Sequence, residues 1–331
     1  MPKHPRLPII ALALLACPAH ISAQDGPPLG SSPAEQAVIA NDPPFVAKPL
    51  TLSALPKGKV APVRLFNGKS LKGWDSWLGY ADPRDTYGKP TVGPIGLNRN
   101  TDAVFRVVSV DGRPAIYSSG KIWGGLITKK SYSNYHLRLQ FKWGEHAWLP
   151  IPRNNGVLYH SHGAYGAFFG TWMSAVEFEI VPKSVGMLLG VGDPKGTHSF
   201  MTVDWRVGAN AEVGRDNSIP YPFRRYMHGG RLSPVQVPAF NVDAGVDAEK
   251  PLGEWNTLEI YAVGDKSIHV VNGVPVMAAS GFTTTNDKGA KIPLTGGRIQ
   301  LQSEGAEAYF RDITIQPITR LPKIIPVGGK K

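Results

Sequence analysis

Cysteine is almost absent from the sequence. The one cysteine, Cys17, lies in an apolar stretch near the N-terminus, so residues 18–331 contain no thiol. This excludes a thiol nucleophile, a zinc–thiolate site and a disulfide framework from the body of the chain. Long apolar runs are absent as well. The run from Leu7 to Ala16 is too short to cross a bilayer as a helix, and we expect no transmembrane helix.

Acidic residues are fewer than basic ones. The chain has 36 Lys and Arg against 25 Asp and Glu, which gives a formal net charge of +11. The basic residues are scattered rather than clustered or interleaved with aromatic residues, so we predict no nucleic-acid partner. A solvated basic surface and a surface for anionic polymers or lipids are both compatible with this charge.

The N-terminus has the pattern of an export signal. Lys3 and Arg6 precede the apolar run, and small residues lead to a plausible cleavage point after Ala23, which predicts a signal peptide over residues 1–23. A lipoprotein signal over residues 1–16 is the alternative, with a lipid anchor at Cys17, although Pro18 is unusual after such a cysteine. Both interpretations predict an exported protein, periplasmic or extracellular, and one of them attaches it to the membrane.

Turn-forming residues are abundant, with Gly 37 and Pro 30. Residues 24–62 are rich in Pro, Ala, Gly and Ser without periodicity, which predicts a linker. Residues 63–318 form the predicted body, and 319–331 form a basic tail. Two segments of the body, 79–101 and 183–252, lack strand periodicity and are predicted as long loop insertions.

Period-2 alternation predicts many short strands in the body. From Tyr135 to Trp143 aromatic and aliphatic residues alternate with polar ones, as in a strand that buries one face. Asn272-Gly273 predicts the turn of a hairpin spanning Ile268 to Val276. We see no amphipathic helix longer than a turn or two. The sequence therefore predicts an all-β fold, an antiparallel β-sandwich or jelly roll.

Two carboxylates are candidate catalytic groups. Glu177 and Glu179 are two residues apart on a predicted strand, so their side chains point to the same face. Such a pair can act as acid and base in glycosidic cleavage. A solvated strand face would have the same pattern.

Two histidines are candidate metal ligands. His160 and His162 are also two apart on a predicted strand and can bind a divalent metal ion, the one cofactor the sequence suggests. His160 is in addition a candidate catalytic base. Two ordinary polar-face histidines are the alternative.

Further residues are candidates for substrate binding. Arg153 and Asn155 lie at a strand mouth, where they suit sugar hydroxyls, although Asn-Asn-Gly also satisfies turn chemistry. Trp172 can stack on a sugar ring or pack in the core. Polar residues of two strands can form one concave polar sheet or a solvated convex one; they include Lys142, Gln300, Gln302 and Glu304.

Several stretches in order resemble the 3-keto-disaccharide hydrolase family. They are Leu65–Trp74, Leu126–Thr128 with Tyr132–Tyr135, Asn154–His160, Glu177–Ile180 and Gly297–Gly305. The resemblance implies a concanavalin-like jelly roll, laminin-G-like in its sandwich, which cleaves glycosides already oxidised to a ketone at C3. Two positions depart from the family pattern: Gly186-Met187 stands where a Gly-Asp pair is common, and Glu179 stands where glutamine is usual.

The resemblance implies a carbohydrate substrate and a specific chemistry. The C3 ketone acidifies the proton on C2, a base removes it, the C1 substituent leaves by elimination, and water can then add. We expect Glu177 or His160 as the base, with Arg153, Asn155 and His162 holding the sugar or a metal. A non-catalytic carbohydrate-binding module is the alternative, and an ordinary jelly-roll glycoside hydrolase is a third.

Overall fold

The computed structural model describes residues 49–58, 60–148, 153–192, 200–206, 225–235 and 242–328. The predicted export signal and Cys17 lie outside these ranges. Two 3₁₀ helices occur among the described residues, at Pro83–Thr86 and Thr101–Ala103. The strands are β1 Leu50–Ser53, β2 Val63–Arg64, β3 Trp74–Leu78, β4 Gly96–Leu97, β5 Phe105–Val110, β6 Arg113–Ser118, β7 Gly124–Thr128, β8 Tyr132–Ser133, β9 Tyr135–Ala147, β10 Asn155–His162, β11 Ser174–Ile180, β12 Met187–Val191, β13 Phe200–Arg206, β14 Arg225–Tyr226, β15 Arg231–Val235, β16 Asn256–Val263, β17 Lys266–Val271, β18 Val274–Thr285, β19 Lys291–Pro293, β20 Gly296–Ser303, β21 Ala306–Pro317 and β22 Lys323–Pro326.

Two antiparallel sheets pack face to face, which confirms the predicted jelly-roll sandwich. The front sheet has eight strands in the order β12-β11-β10-β20-β7-β3-β4, with β8 paired to β20. The back sheet has twelve, in the order β14-β13-β18-β17-β16-β9-β21-β6-β5, with β15 paired to β13, β19 to β18 and β2 to β21. Apolar side chains from both sheets form one core between them. Each sheet thus has an inner face toward this core and an outer face away from it.

Strand β9 shows why the alternating pattern gives this architecture. Tyr135, Leu137, Leu139 and Phe141 are at most 1% exposed and point into the core from the back sheet. Burying each such side chain stabilises the fold by about 1.5–3 kcal/mol. The strand pairs with β16 on one side and β21 on the other. The prediction for residues 135–143 is confirmed.

The predicted hairpin is also confirmed. Strands β17 and β18 pair antiparallel around Asn272-Gly273. The φ angles of Asn272 and Gly273 are +50° and +83°. Positive φ at both central residues is the requirement of the tight hairpin turn that matches strand twist, and Asn-Gly meets it at low cost.

Two expectations about irregular segments need correction. Segment 183–252 is not a single loop, because β12, β13, β14 and β15 lie within it. The linker and the tail also contribute strands, since β1 and β22 pair with each other. Their side chains Leu52 and Ile324 pack beside the outer face of the back sheet, around Tyr261 and Ile268. None of the helices in the described ranges is long and apolar enough to span a bilayer.

The outer face of the front sheet is covered by the connection from β10 to β11. Phe168 and Trp172 of this connection pack on Leu158 and Ala175, which point outward from β10 and β11. A second, smaller apolar cluster therefore closes part of this face. The polar side chains that point outward from β11 and β20 lie on this same face, beside the apolar cluster.

Candidate active site

A cluster of carboxyl groups lies on the outer face of the front sheet. Glu177 and Glu179 point outward from β11, since the alternate residues Val176 and Phe178 belong to the inner core. Glu304 follows β20 and lies within electrostatic range of both. We call these residues the carboxylate cluster. The prediction that Glu177 and Glu179 share a face is confirmed. Their burial, at 2% and 9% exposure, was not predicted from the sequence.

Gly156 makes room for the cluster. This residue pairs with Glu179 across the β10–β11 ladder, and Leu158 pairs with Glu177. A Cβ placed on Gly156 would lie 2.1 Å from Oε1 of Glu177 and 2.6 Å from Oε1 of Gln302. Glycine inside a strand often marks such a close approach. The carboxyl group of Glu177 thus lies directly over the β10 backbone.

Burial sets the protonation of the cluster. It raises the pKa of Glu177 well above its ordinary value, and repulsion from Glu179 and Glu304 raises it further, against a hydrogen bond from Gln302. Burial, then repulsion from Glu179, raises the pKa of Glu304 to about 8. Charged carboxylates are costly to bury and costly to place together. The cluster therefore retains protons at neutral pH.

His160 lies on the opposite side of the front sheet from the cluster. A bulge interrupts β10 between Tyr159 and His162, and His160 adopts a φ of +52° there. Its imidazole is fully buried in the inner core, with Nδ1 3.3 Å from the Tyr135 hydroxyl and the ring beside Phe282. Burial lowers the pKa of His160 to about 3. The expectation that His160 joins Glu177 as a base is wrong, because the sheet separates them.

His162 shares the inner direction of His160 at the end of β10. Its Nδ1 donates to the carbonyl of His160 at 2.8 Å, and its Nε2 lies 2.7 Å from the Thr284 hydroxyl. Both ring nitrogens are therefore occupied. No group of three or more His, Cys, Asp or Glu side chains within the described ranges is arranged to hold a metal ion. The residues His160 and His162 do not fit the predicted metal site, and no step is derived through one.

Arg153 and Asn155 bind backbone at the start of β10. Arg153 donates to the carbonyls of Gly144 and Glu145 at 2.9 and 2.7 Å. The amide of Asn155 is fully buried; it donates to the Gln302 carbonyl at 3.2 Å and accepts from the N–H of Gly156 at 2.8 Å. These contacts fix the ends of β9, β10 and β20 around the cluster. Asn155, which is fully buried, has a positioning role rather than the predicted sugar contact, and the sugar contact of Arg153 stays a prediction.

The predicted single polar sheet is divided between the two sheets. Lys142 points outward from the back sheet, 3.7 Å from the Asp111 carboxylate. Gln300 points outward from the front sheet, where its amide donates to the Ser161 hydroxyl at 2.7 Å. Only the front-sheet members, which include Gln300 and Glu304, share a face with Glu177. The expectation that Lys142 joins them is wrong because β9 belongs to the other sheet.

Trp172 is a packing residue that covers the site. Its side chain is 2% exposed, its indole N–H donates to the Gly124 carbonyl at 3.2 Å, and its ring stacks on Trp123 at 5.9 Å. Gly156 and Trp123 are the residues that the sequence analysis did not single out as part of the site, and the glycine within strand β10 was the available signal.

Comparison with known proteins gives the family. Over residues 61–316 the sequence matches the family described as 3-keto-alpha-glucoside-1,2-lyase-like domain. A candidate glycosyl hydrolase of Parabacteroides distasonis ATCC 8503 is 15% identical, with a TM-score of 0.43 over 79% of this chain and 100% of that chain. A second from the same organism is 20% identical, with a TM-score of 0.37 over 64% of this chain and 90% of that chain.

A carbohydrate-binding module from Bacillus subtilis, CBM66, is 9% identical, with a TM-score of 0.33 over 64% of this chain and 91% of that chain. No curated protein matches the sequence. The family match spans most of the chain and includes both strands that form the carboxylate cluster. The chain belongs to the 3-keto-alpha-glucoside-1,2-lyase-like domain family.

Proposed function

We propose that the chain cleaves the glycosidic bond of 3-keto-glycosides at the carboxylate cluster. The observation that carries this proposal is the grouping of Glu177, Glu179 and Glu304 on one face. Within this group the pKa of Glu304 is raised to about 8, so its carboxyl group is protonated at neutral pH. An elimination needs a base for a carbon acid and an acid for the leaving oxygen. Carboxyl groups of one cluster in two protonation states supply both.

The reaction follows from the ketone at C3. This ketone acidifies the C2 proton, which a carboxylate removes; the C2–H electron pair becomes the C1=C2 double bond. The C1–O bond breaks, and the leaving oxygen takes a proton from a neighbouring carboxyl group. The cluster gains the proton from C2 and loses one to the leaving oxygen. A proton transfer from the base carboxyl group to the acid carboxylate then restores the enzyme. Addition of water across the double bond then gives net hydrolysis.

Exposure and protonation assign the roles. Glu179 is the most exposed of the cluster, at 9%, and we assign it the base. Glu304 is the acid, because its pKa of about 8 keeps it protonated at neutral pH without making it too weak to donate. Glu177 is the most deeply buried of the three, and burial favours its protonated form. The base assignment thereby moves from Glu177 or His160 to Glu179.

A glutamine scan tests this proposal. Glu179→Gln and Glu304→Gln each remove one proton-transfer group and keep the shape of the side chain, and we expect kcat on a 3-keto-glucoside to fall by about 10²–10⁴-fold. Glu259→Gln is the matched control, since this partly buried glutamate lies on the back sheet, 2.7 Å from His136. Wild-type kcat in both cluster variants would refute the assignment.

The presence of Gly186-Met187 where a Gly-Asp pair is common in the family favours a second candidate, a carbohydrate-binding module without catalysis. The two functions differ in turnover. We expect cleavage of a 3-keto-glucoside and no cleavage of the unoxidised aryl glucoside. Calorimetric binding of an unoxidised oligosaccharide, together with no turnover of the ketone, would select the binding module.

The N-terminal pattern supports export as part of this proposal. Sugar cleavage outside the cytoplasm requires removal of residues 1–23 or lipidation of Cys17 after cleavage behind Ala16. Mass spectrometry of the mature N-terminus distinguishes the two. A mature chain that retains Met1 would contradict export by either route.

A further inference from the structure

A cleft lined by two tryptophans adjoins the carboxylate cluster. It has a volume of about 330 Å³, and its walls come from the segment around the first 3₁₀ helix, the turn before β7 and the end of β9. The side chains that line it and matter here are Asp82, Arg84, Lys121, Trp123 and Trp148. It combines a flat aromatic wall with charged groups of both signs.

Backbone hydrogen bonds join this cleft to Glu304. Trp148 donates its N–H to the carbonyl of Gly305 at 2.8 Å, and Gly305 donates its own N–H to the carbonyl of Gly120 at 2.8 Å. Gly120 and Trp148 line the cleft, and Gly305 directly follows Glu304. The cleft thus lies beside the backbone of Gly305, one residue after Glu304, the proposed acid.

Both tryptophan rings are held in place before any ligand arrives. The indole N–H of Trp148 donates to the Ser119 carbonyl at 2.7 Å, and the Lys121 ammonium lies 6.0 Å from the ring centre. Trp123 stacks on Trp172 at 5.9 Å and meets the edge of Tyr87 at 5.9 Å. A fixed aromatic wall loses little conformational entropy on binding.

Two features of these rings point to a sugar. Trp148 is 42% exposed, an unusual position for so large an apolar surface. The indole N–H of Trp123 is buried and has no hydrogen-bond acceptor among the described residues. A pyranose ring offers both complements, because its C–H face stacks on an indole and its hydroxyl oxygens accept hydrogen bonds. Arg84, Lys121 and Asp82 can bind the remaining hydroxyls.

We propose that this cleft is the subsite for the leaving-group sugar of a 3-keto-disaccharide. This subsite rests on the proposed function. The acid that protonates the leaving oxygen must lie on the leaving-group side of the glycosidic bond. Since Glu304 is that acid and the cleft lies beside it, the sugar departing from C1 enters the cleft.

The test compares two substrates. For a 3-keto-disaccharide we expect Trp148→Ala to lower kcat/KM by about tenfold, since stacking one sugar ring supplies stabilisation of that order. For methyl 3-keto-glucoside the same variant should keep wild-type kcat/KM, because methanol leaves the cleft empty. Trp148→Phe keeps an aromatic wall and should recover most of the loss. Trp255→Ala is the control, a tryptophan on the back sheet whose ring faces Arg311 at 3.7 Å.

The outcomes separate the two proposals. Equal effects of Trp148→Ala on both substrates, or no effect on either, would overturn the subsite while wild-type turnover upholds the proposed function. A wild-type protein that cleaves neither substrate would overturn the proposed function and the subsite with it. Thermal unfolding of Trp148→Ala identifies a folding defect, and in that case Trp123→Phe, which removes the indole N–H and keeps a smaller aromatic ring, decides by the same substrate comparison.

Discussion

Gly156→Ala is the substitution that probes the geometry of the cluster most finely. The added methyl group would lie 2.1 Å from Oε1 of Glu177, whereas ordinary contact begins at 3.4 Å. The carboxyl group must therefore move by about 1.3 Å, or the backbone must give way by as much. Gln302 restricts that movement, because its Oε1 would lie 2.6 Å from the same methyl.

A displacement of this size has a large effect on rate. A misplacement of about 1 Å in catalytic geometry can cost about 10²-fold. We therefore expect kcat on a 3-keto-glucoside to fall by about two orders of magnitude. Overpacking of this kind should also lower the free energy of unfolding by about 1–3 kcal/mol.

The assay is steady-state turnover of a 3-keto-glucoside, with chemical denaturation in parallel. Gly93→Ala is the matched control, because no atom lies within 4 Å of a Cβ placed there. If Gly156→Ala folds with unchanged stability and keeps wild-type kcat, the close approach of Glu177 to β10 does not exist or does not matter, and the site is misplaced.

Three further predictions concern groups around the site. His160→Leu should keep wild-type kcat, because the imidazole lies in the inner core; a loss of kcat at wild-type stability would restore His160 as a catalytic candidate. Glu304→Gln should gain stability relative to wild type as pH rises from about 4.5 to about 8, by on the order of a few kcal/mol. The pKa of Glu304 is higher in the folded than in the unfolded state, so the stability that its protonated form contributes is complete below the unfolded-state pKa and is lost as pH rises through the folded-state pKa. Denaturation at pH 4 and pH 9 measures the difference between the two proteins, and an equal difference at both pH values would contradict the burial argument. Arg153→Gln should lower the free energy of unfolding by about 1–3 kcal/mol without changing KM, because its bonds are to backbone carbonyls; a raised KM at full stability would point to the substrate contact instead.

Local patterns predicted the strands well. The alternation from Tyr135 to Trp143 specifies β9 because successive side chains of a strand point to opposite faces, and this depends only on neighbouring residues. Asn272-Gly273 specifies its turn because the required backbone angles are local. Glu177 and Glu179 share a face for the same reason. These are properties of short stretches of chain, and short stretches determine them.

The sheet to which each strand belongs is not a local property. Lys142 and Gln300 have the same alternating context, yet pairing with distant strands places them on opposite faces of the sandwich. His160 and Glu177 are separated in the same way, and the bulge at His160 depends on both neighbours of β10. Periodicity contains none of this information.

The isotope effect of deuterium at C2 of a 3-keto-glucoside tests the central claim most directly. If a carboxyl group of the cluster removes the C2 proton, wild-type kcat/KM should show a primary isotope effect. In D₂O the product should carry solvent deuterium at C2, and Glu179→Gln should slow the cleavage that produces it by about 10²–10⁴-fold. An isotope effect of unity, with cleavage by Glu179→Gln as fast as by the wild type, would show that the bond breaks by another chemistry or at another site.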